Sequence, residues 1–172
     1  MSILIRPIQP DDAEALTALF DAIDRETKYL LFEPGERTRT PAEWRRRIEE
    51  MRGGDSPDEI FVAADADTLE LVGVLVAIGD RRLRLRHSAS LLAAVRAGYA
   101  GQGVGKRLFA ALEEWARSRG LHRLHLQVQA NNHRAVALYH KLGFTVEGFH
   151  RHAVRLDGEW VDDYTMAKLL EE

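Results

Sequence analysis

The chain has 172 residues, a length typical of one compact domain with a sizeable core. Hydrophobic residues make up 45% of it and charged residues 30%, and the formal net charge is −3, so the composition indicates neither a nucleic-acid nor a membrane partner. The sequence contains no cysteine, which excludes disulfides, thiolate metal sites and a cysteine acyl intermediate.

The opening residues, MSILIRPIQPDD, lack the basic head and the long apolar segment of a signal peptide. No apolar run approaches the roughly 20 residues that a membrane span needs. We therefore expect a cytoplasmic protein. Because no linker or internal repeat is visible, we also expect a single domain over residues 1–172.

The first half of the chain predicts a strand, two helices and an antiparallel strand pair. Before the second helix, Thr40, Pro41 and Glu43 combine an N-cap threonine, a proline at the first helical position and a glutamate three residues after the cap. Gly73 is a candidate bulge position. In chain order, the predicted elements are a strand over 2–8, a helix introduced by 10–12, a loop over 27–39, a helix over 41–52 and strands over 60–64 and 71–78.

The second half predicts alternating strands and helices followed by a hairpin. Arg82, Arg84 and Arg86 alternate with leucines, which is the pattern of a half-exposed strand with solvated arginines. This order of elements predicts an α/β (mixed α+β) fold with a mixed sheet and helices on both faces. The predicted elements are a strand over 83–95, a glycine-rich turn, a helix over 104–119, a strand over 124–128, a helix from 132 to 143, and hairpin strands over 144–154 and 160–167.

The glycine-rich turn lies within VRAGYAGQGVGKRLFAALEEW, between an apolar strand and an amphipathic helix. Gly101, Gly103 and Gly105 let the backbone approach an anion closely, and the helix adds unpaired first-turn N–H groups and the positive end of its dipole. The turn therefore predicts a phosphate site. It is not a Walker A loop, because Arg107 stands where the magnesium-binding hydroxyl is needed. Lys106 occupies the third glycine position of the dinucleotide fingerprint, which weakens that reading as well.

A second motif, ANNHRAVALYHKLGFTVEG, follows further along the chain. Asn132, Ala135, Leu138 and Tyr139 share one face of the predicted helix. Together with AGQGVG, this motif resembles the GNAT superfamily of acetyl-coenzyme A (acetyl-CoA) dependent N-acetyltransferases, in which the helix reads N-x-x-A-x-x-L-Y-x-x-x-G-F. The C-terminal segment is similar to branches that acetylate amino acids or ribosomal-protein termini. The resemblance covers roughly residues 61–170.

The resemblance implies a mostly antiparallel sheet in which one parallel strand pair splays apart and holds the pantetheine arm of acetyl-CoA. Backbone N–H groups of the turn would hold the diphosphate, and the end of the preceding strand would pair with the pantetheine amides. Ala100 stands where the family has arginine or glutamine, which removes one side chain but no backbone donor. The implied cofactor contacts are Ala93, Ala94, Val95, Gly101, Gln102, Gly103, Val104, Gly105, Lys106 and Asn132.

Tyr139 is the catalytic residue that the resemblance implies, as the general acid that protonates the leaving thiolate. A phenol of pKa ~10 is a better proton donor than water for a thiolate of pKa ~8.5. The general base stays open, because Gln127 and Ser90 occupy positions where related enzymes carry acidic residues, and neither can take a proton. A water chain to bulk solvent is one alternative, and the candidate side chains are Glu33, His87, His125 and Glu147.

The sequence thus predicts a cytoplasmic N-acetyltransferase that moves the acetyl group of acetyl-CoA directly to a primary amine of a small molecule or a protein N-terminus. The acceptor would enter over the loop at 27–39, where the resemblance is weakest. The alternative is a non-catalytic acyl-CoA sensor of the same fold, which the missing carboxylates at Gln127 and Ser90 would favour. The histidine pairs lack the carboxylate–histidine spacing of zinc sites, so no metal is expected. A homodimer is common among similar proteins.

Overall fold

One sheet of seven strands organises the chain, whose computed structural model describes residues 2–171. Its strands are β1 (Ile3–Pro7), β2 (Glu59–Asp65), β3 (Leu71–Ile78), β4 (Ser88–Val95), β5 (Arg123–Gln129), β6 (Thr145–Leu156) and β7 (Glu159–Leu169). The helices are α1 (Ala13–Glu26), α2 (Pro41–Gly53), α3 (Val104–Ser118) and α4 (His133–Lys141). The strand order is β1-β2-β3-β4-β5-β7-β6. The predicted mixed sheet flanked by helices is confirmed.

β4 and β5 form the parallel pair of the sheet, and the other neighbouring strands are antiparallel. The pairing of β4 with β5 ends at Leu91 and Leu126, although β4 continues to Val95 and β5 to Gln129. The two strands therefore separate over their last residues, as the resemblance implied. They leave a gap, called the strand gap below, between their C-terminal ends.

Helices on the two faces of the sheet enclose two apolar clusters. The cluster under α3 and α4 contains Leu91, Leu108 and Leu126, and the cluster under α1 and α2 contains Leu16. Neighbouring residues of β4 belong to opposite clusters, since Leu92 packs against the α1 side. This follows from the two-residue period of a strand. Each fully buried leucine contributes about 1.5–3 kcal/mol relative to an exposed one, so both helical layers hold the sheet firmly.

Side-chain and backbone caps set the helix ends that position the site. Thr40 Oγ1 accepts a hydrogen bond from Glu43 N at 3.3 Å, and Glu43 Oε2 accepts from Thr40 N at 2.7 Å, which confirms the predicted capping box. At the start of α4, Asn132 Oδ1 accepts from Ala135 N at 3.2 Å. Beyond the other end of α4, Gly143 has a φ of +91°, the left-handed conformation that glycine adopts most easily after a helix.

Residues 83–87 form a turn, so the prediction that β4 begins at residue 83 is wrong. Asp80 Oδ1 accepts from the N–H of Arg82 at 2.8 Å, and the N–H of Arg86 donates to the carbonyl oxygen of Arg82 at 2.9 Å. These local hydrogen bonds replace a strand ladder. Leu83 is 77% exposed, which shows that the leucines here face solvent together with the arginines.

A β-bulge lies beside Gly73, close to the predicted position. Ala63 pairs with Gly73 but Ala64 pairs with Leu71, so the intervening Val72 is the extra residue. A Cβ added at Gly73 would lie 3.3 Å from the nearest side-chain carbons, because α3 approaches the sheet closely there. Among residues 2–171, no helix combines the length and the apolar character needed to cross a membrane.

Candidate active site

The glycine-rich turn follows β4 and leads directly into α3. Gly101 and Gly103 have φ values of +79° and +80°, which other residues adopt only with strain. Gly103 is the N-cap of α3, so the first-turn N–H groups of the helix open onto the turn. A Cβ added at Gly105 would lie 3.3 Å from Leu138 Cδ2, so the missing side chain at residue 105 lets α3 pack closely against α4.

A run of backbone N–H groups, from residue 101 to residue 106, has no acceptor within the described part of the chain. The residues on either side of this run, Ala100 and Arg107, donate to backbone carbonyls. The side chain of Val104 is only 2% exposed, so this residue offers its backbone N–H alone. The turn therefore presents converging donors at the positive end of a helix, an arrangement suited to an anion.

Basic side chains surround the turn. Lys106 and Arg107 are exposed on the first turn of α3. Arg134, on the first turn of α4, lies so close that a Cβ added at Gly101 would be 2.9 Å from its Nη2 atom. Arg134 was not predicted from the sequence. Its position two residues after Asn132, within the helical motif, is the signal that could have identified it.

The strand gap exposes one edge of β4. Arg96 N donates to Val72 O of β3 at 2.8 Å. Because backbone groups alternate along an antiparallel strand, Ala94 also directs its N–H towards β3, whereas Ala93 and Val95 direct theirs into the gap. Of the three residues predicted to pair with the cofactor through their backbone, Ala93 and Val95 thus have free N–H groups that face the gap. Ala94 instead places its side chain against the α1 cluster.

Ion pairs and hydrogen bonds fix the end of β4 to neighbouring elements. Arg96 Nε donates to Glu26 Oε1 at 2.7 Å, and Arg96 Nη1 donates to Glu70 Oε1 at 2.8 Å. The second carboxylate oxygen of Glu26 accepts from Ala97 N at 2.8 Å. The C-terminal end of α1 is thereby joined to the chain just before the glycine-rich turn, which restricts the position of the free β4 edge.

Tyr139 lies on α4 with 8% of its surface exposed. Its ring centroid is 5.6 Å from that of Phe109 and 6.0 Å from that of Phe144, so three aromatic rings pack together beside α3. Burial raises the pKa of the Tyr139 phenol to about 12. Within residues 2–171, no hydrogen bond involves its hydroxyl group, which is therefore available as a donor to a ligand.

The general-base alternatives lie at different distances from the gap. His87 precedes β4, so a strand of eight residues, about 26 Å at 3.3 Å per residue, separates it from the glycine-rich turn. The Glu147 carboxylate accepts from Arg123 at 2.8 and 2.5 Å, and this pairing lowers the pKa of Glu147. His125 is half-buried on the paired part of β5, and burial lowers its pKa. Glu33 is exposed on the loop between α1 and α2.

The loop between α1 and α2, residues 27–40, contacts the end of β5, because Gln129 Nε2 donates to Lys28 O at 2.9 Å. Arg37 donates to the buried carboxylate of Asp24 at 2.5 and 3.0 Å. Its guanidinium carbon also lies 4.2 Å from the ring centroid of Phe20 and 4.3 Å from that of Phe32. This combination of an ion pair and cation–π contacts orders a loop that has no regular secondary structure.

Two buried polar side chains, Gln129 of β5 and Asp163 of β7, lie opposite each other on the same face of the sheet. Neither was predicted as a site residue. The signal for Asp163 was an acidic pair, Asp162-Asp163, inside a predicted strand, where one of two neighbours must face inward. Within residues 2–171, no group of three or more His, Cys, Asp or Glu side chains is placed to hold a metal ion.

Two surface depressions lie away from the strand gap. The larger, about 530 Å³, is lined by Asp80, Trp115 and Arg119 among others, next to the turn that precedes β4. The smaller, about 420 Å³, lies where α1 and α2 begin. Neither is lined by the glycine-rich turn or by α4. The converging backbone donors, rather than the size of a depression, therefore identify the candidate site.

The model of the Acetyltransferase (GNAT) family matches residues 18–144, a stretch that includes the strand gap, the glycine-rich turn and Tyr139. The chain belongs to the GNAT acetyltransferase family. The resemblance carried by the two motifs is thereby confirmed. The strand gap, the turn and α4 form the chain's candidate active site.

Similar proteins have the same fold. A GNAT acetyltransferase structure from Streptococcus pneumoniae is 29% identical with a TM-score of 0.92, covering 98% of this chain and 100% of that one. The yncA protein from Salmonella typhimurium, in a structure with its cofactor acetyl-CoA, is 23% identical with a TM-score of 0.83, covering 100% of this chain and 96% of that one.

A curated relative is similar to this chain in sequence. The L-amino acid N-acetyltransferase AaaT from Escherichia coli (strain K12) is 28% identical over 130 residues, which make up 73% of this chain and 75% of AaaT. With several other curated relatives, the match spans only 22% to 41% of the relative's length. Those shorter matches therefore leave most of each relative without a counterpart in the alignment.

Proposed function

We propose that this GNAT enzyme binds acetyl-CoA and transfers its acetyl group to a primary amine. The observation that carries the proposal is the run of backbone N–H groups over 101–106 without an acceptor in the described chain, at the positive end of α3. A diphosphate fits such a run, because its oxygens can accept several of these hydrogen bonds and its charge is stabilised by the helix dipole. Lys106, Arg107 and Arg134 add positive charge nearby.

The free edge of β4 would hold the rest of the cosubstrate. Ala93 and Val95 direct backbone N–H groups into the strand gap, where an extended amide-bearing arm can pair with them as an added strand would. One of these donors would face the carbonyl oxygen on which negative charge develops, and losing such a donor typically costs about 3 kcal/mol. Asn132 uses its carbonyl oxygen for the α4 cap, so its amide nitrogen stays available for a cofactor contact.

Tyr139 is the proposed donor to the leaving sulfur. Acetyl-CoA supplies an acyl group activated as a thioester, and its departure leaves a thiolate. Because the pKa of Tyr139 is raised to about 12, the phenol is protonated at every physiological pH. That pKa exceeds the ~8.5 of a thiol, so Tyr139 stabilises the developing thiolate by a hydrogen bond more readily than by complete proton transfer.

The acceptor amine enters from the side of the 27–40 loop in this proposal. Similarity to AaaT, which is described as an L-amino acid N-acetyltransferase, makes an amino acid the first acceptor class to test, and a protein N-terminus presents the same group. Of the four predicted bases, Glu33 is the one that this loop carries. Membership in a family of acetyltransferases favours the enzyme over an acyl-CoA sensor.

The proposal is tested by incubating the purified chain with acetyl-CoA and a panel of L-amino acids, polyamines and short peptides, and by measuring thiol release. We expect release that depends on at least one amine, above a control without amine. Calorimetry with coenzyme A accompanies the assay. Binding without turnover on any amine would support the sensor instead, and an absence of binding would contradict the assigned site.

The cytoplasmic location and the homodimer belong to this proposal as well. Light scattering on the purified chain, with and without coenzyme A, would establish its oligomeric state. A monomer under both conditions would remove the dimer from the proposal without affecting the active site.

A further inference from the structure

Gln129 and Asp163 are directly opposite each other in the antiparallel pairing of β5 and β7. They are 3% and 6% exposed. Each has a buried side-chain oxygen, Gln129 Oε1 and Asp163 Oδ1, that has no hydrogen-bond partner within residues 2–171. Buried polar atoms are almost always hydrogen-bonded in folded proteins, so two neighbouring exceptions indicate a missing donor.

The orientation of the Gln129 amide follows from its one hydrogen bond. Gln129 Nε2 donates to the backbone oxygen of Lys28 at 2.9 Å. Because a carbonyl oxygen can only accept, the amide nitrogen must face Lys28, and Oε1 is left as an acceptor on the other side. An ionised Asp163 also offers only acceptors. In that state the pair would be satisfied by a group that donates more than one hydrogen bond.

The pair lies at the level of the strand gap. Gln129 is three residues beyond Leu126, the last residue of β5 that pairs with β4, and Ala94 is three residues beyond Leu91 on the other strand. The side chains of Ala94 and Gln129 share the face of the sheet covered by α1 and its following loop. Gln129 thus borders the gap, and Asp163 lies beside it one strand further from β4, on the side from which the proposed acceptor would enter.

The Asp163 carboxylate has no ion-pair partner among residues 2–171. His150 is its partner on β6, but His150 Nε2 lies 2.7 Å from Thr165 Oγ1. Burial raises the pKa of Asp163, the charge of neighbouring Asp162 raises it further, and His150 lowers it. A carboxylate in this position would be stabilised by a bound positive charge.

We propose that Asp163 Oδ1 and Gln129 Oε1 form a subsite that binds the ammonium group of the acceptor. The inference rests on the proposed function for the identity of the acceptor, but the binding itself needs no turnover. A primary ammonium carries three N–H donors and one positive charge, which matches two acceptor oxygens of which one belongs to a carboxylate. The acceptor therefore reaches the enzyme as a primary ammonium, and uncharged amines or anilines are poor substrates.

The test uses propylammonium chloride as the probe and n-propanol as its neutral isostere. Both are titrated into the full chain saturated with coenzyme A, a complex that cannot turn over, and the side-chain amide signals of Gln129 are followed by nitrogen-15 NMR. We expect saturable shifts with propylammonium and none with n-propanol. Asp163→Asn should weaken propylammonium binding about tenfold or more, as expected for the loss of a charged hydrogen-bond partner.

Asp162→Asn is the matched control, because it makes the same chemical change one residue away. Asp162 Oδ1 accepts from His152 N at 2.7 Å, and its side chain points to the opposite face of β7. This variant should bind propylammonium as the wild type does. The subsite would be overturned if Asp163→Asn bound propylammonium as tightly as the wild type. It would also be overturned by equal shifts with n-propanol, or by the lack of a saturable shift with propylammonium.

The outcome separates the subsite from the proposed function. If the chain binds propylammonium through Asp163 but none of the tested amines causes thiol release, the subsite stands and the transferase proposal fails. If the wild type and Asp163→Asn acetylate an amine with the same KM, the transferase proposal stands and the subsite fails. A carbon-13 signal showing that Asp163 stays protonated at neutral pH in the complex would also overturn the subsite.

Discussion

The two sides of the strand gap offer different chemical groups. On the proposed cofactor side, the glycine-rich turn over 101–106 and the free edge of β4 offer backbone N–H groups. On the proposed acceptor side, Gln129, Asp163 and the 27–40 loop offer side chains that long-range folding brings together. The cofactor side is therefore built from local chain geometry, and the acceptor side from tertiary packing.

This difference predicts that one side of the site can change its ligand without changing the other. Every residue except proline keeps its backbone N–H whatever its side chain, so the cofactor side depends on the chain's conformation. The acceptor side depends on the identity of single side chains. Removing one of these side chains should alter amine selection while leaving cofactor affinity unchanged.

Tyr139→Phe tests the proposed donor to the leaving sulfur. We expect kcat to fall about 100-fold or more, because the donor to the leaving sulfur is lost. Coenzyme A affinity and the melting temperature should stay close to wild type, since the Tyr139 hydroxyl forms no hydrogen bond within residues 2–171. Steady-state kinetics, calorimetry and thermal unfolding measure the three quantities, and unchanged kcat would remove Tyr139 from the mechanism.

Gly103→Ala tests whether backbone conformation governs the cofactor side. The left-handed φ of +80° costs a non-glycine residue about 1–2 kcal/mol, so the turn should shift and coenzyme A affinity should fall about fivefold to thirtyfold. Gly98→Ala is the control, because its added Cβ meets no atom within 4 Å and its φ is not positive. Calorimetry that finds both variants equal to wild type would contradict a backbone-based site.

The pH dependence of stability tests the buried carboxylate on the acceptor side. Burial raises the pKa of Asp163 above its usual 3.8, so the folded state holds this proton at pH values where the unfolded state has lost it. The stability of the wild type relative to Asp163→Asn should therefore fall as pH rises from about 3.8 through the raised pKa. Urea unfolding over that pH range measures the free energy of unfolding of the wild type and of Asp163→Asn, with Asp162→Asn as the control. A relative stability that rises with pH would show that Asp163 is stabilised as an anion in the free enzyme.

The sequence predicts features that depend on neighbouring residues. Gly101 and Gly103, the capping box of Thr40 and Glu43, and the Asn132 cap are local, and the structure has the conformations or hydrogen bonds expected for each. The splayed strand pair follows from family resemblance and is also present. Local geometry and a known fold together account for the cofactor side.

Features that depend on distant contacts were missed or mistaken. Asp163 lies beside Gln129 only because β7 pairs with β5, and Gln129 is oriented by Lys28, far away in the sequence. Leu83 follows a strand-like alternation, yet hydrogen bonds to Asp80 and within the segment form a turn. Arg134 lies inside the second motif, yet its closeness to the glycine-rich turn depends on how α4 packs against α3.

A crystal structure of this chain with coenzyme A would test the backbone diphosphate site directly. We predict diphosphate oxygens within about 2.7–3.2 Å of backbone nitrogens between residues 101 and 106, and the pantetheine arm along Ala93 and Val95. A diphosphate bound elsewhere on the protein, with those backbone nitrogens still unpaired, would contradict it.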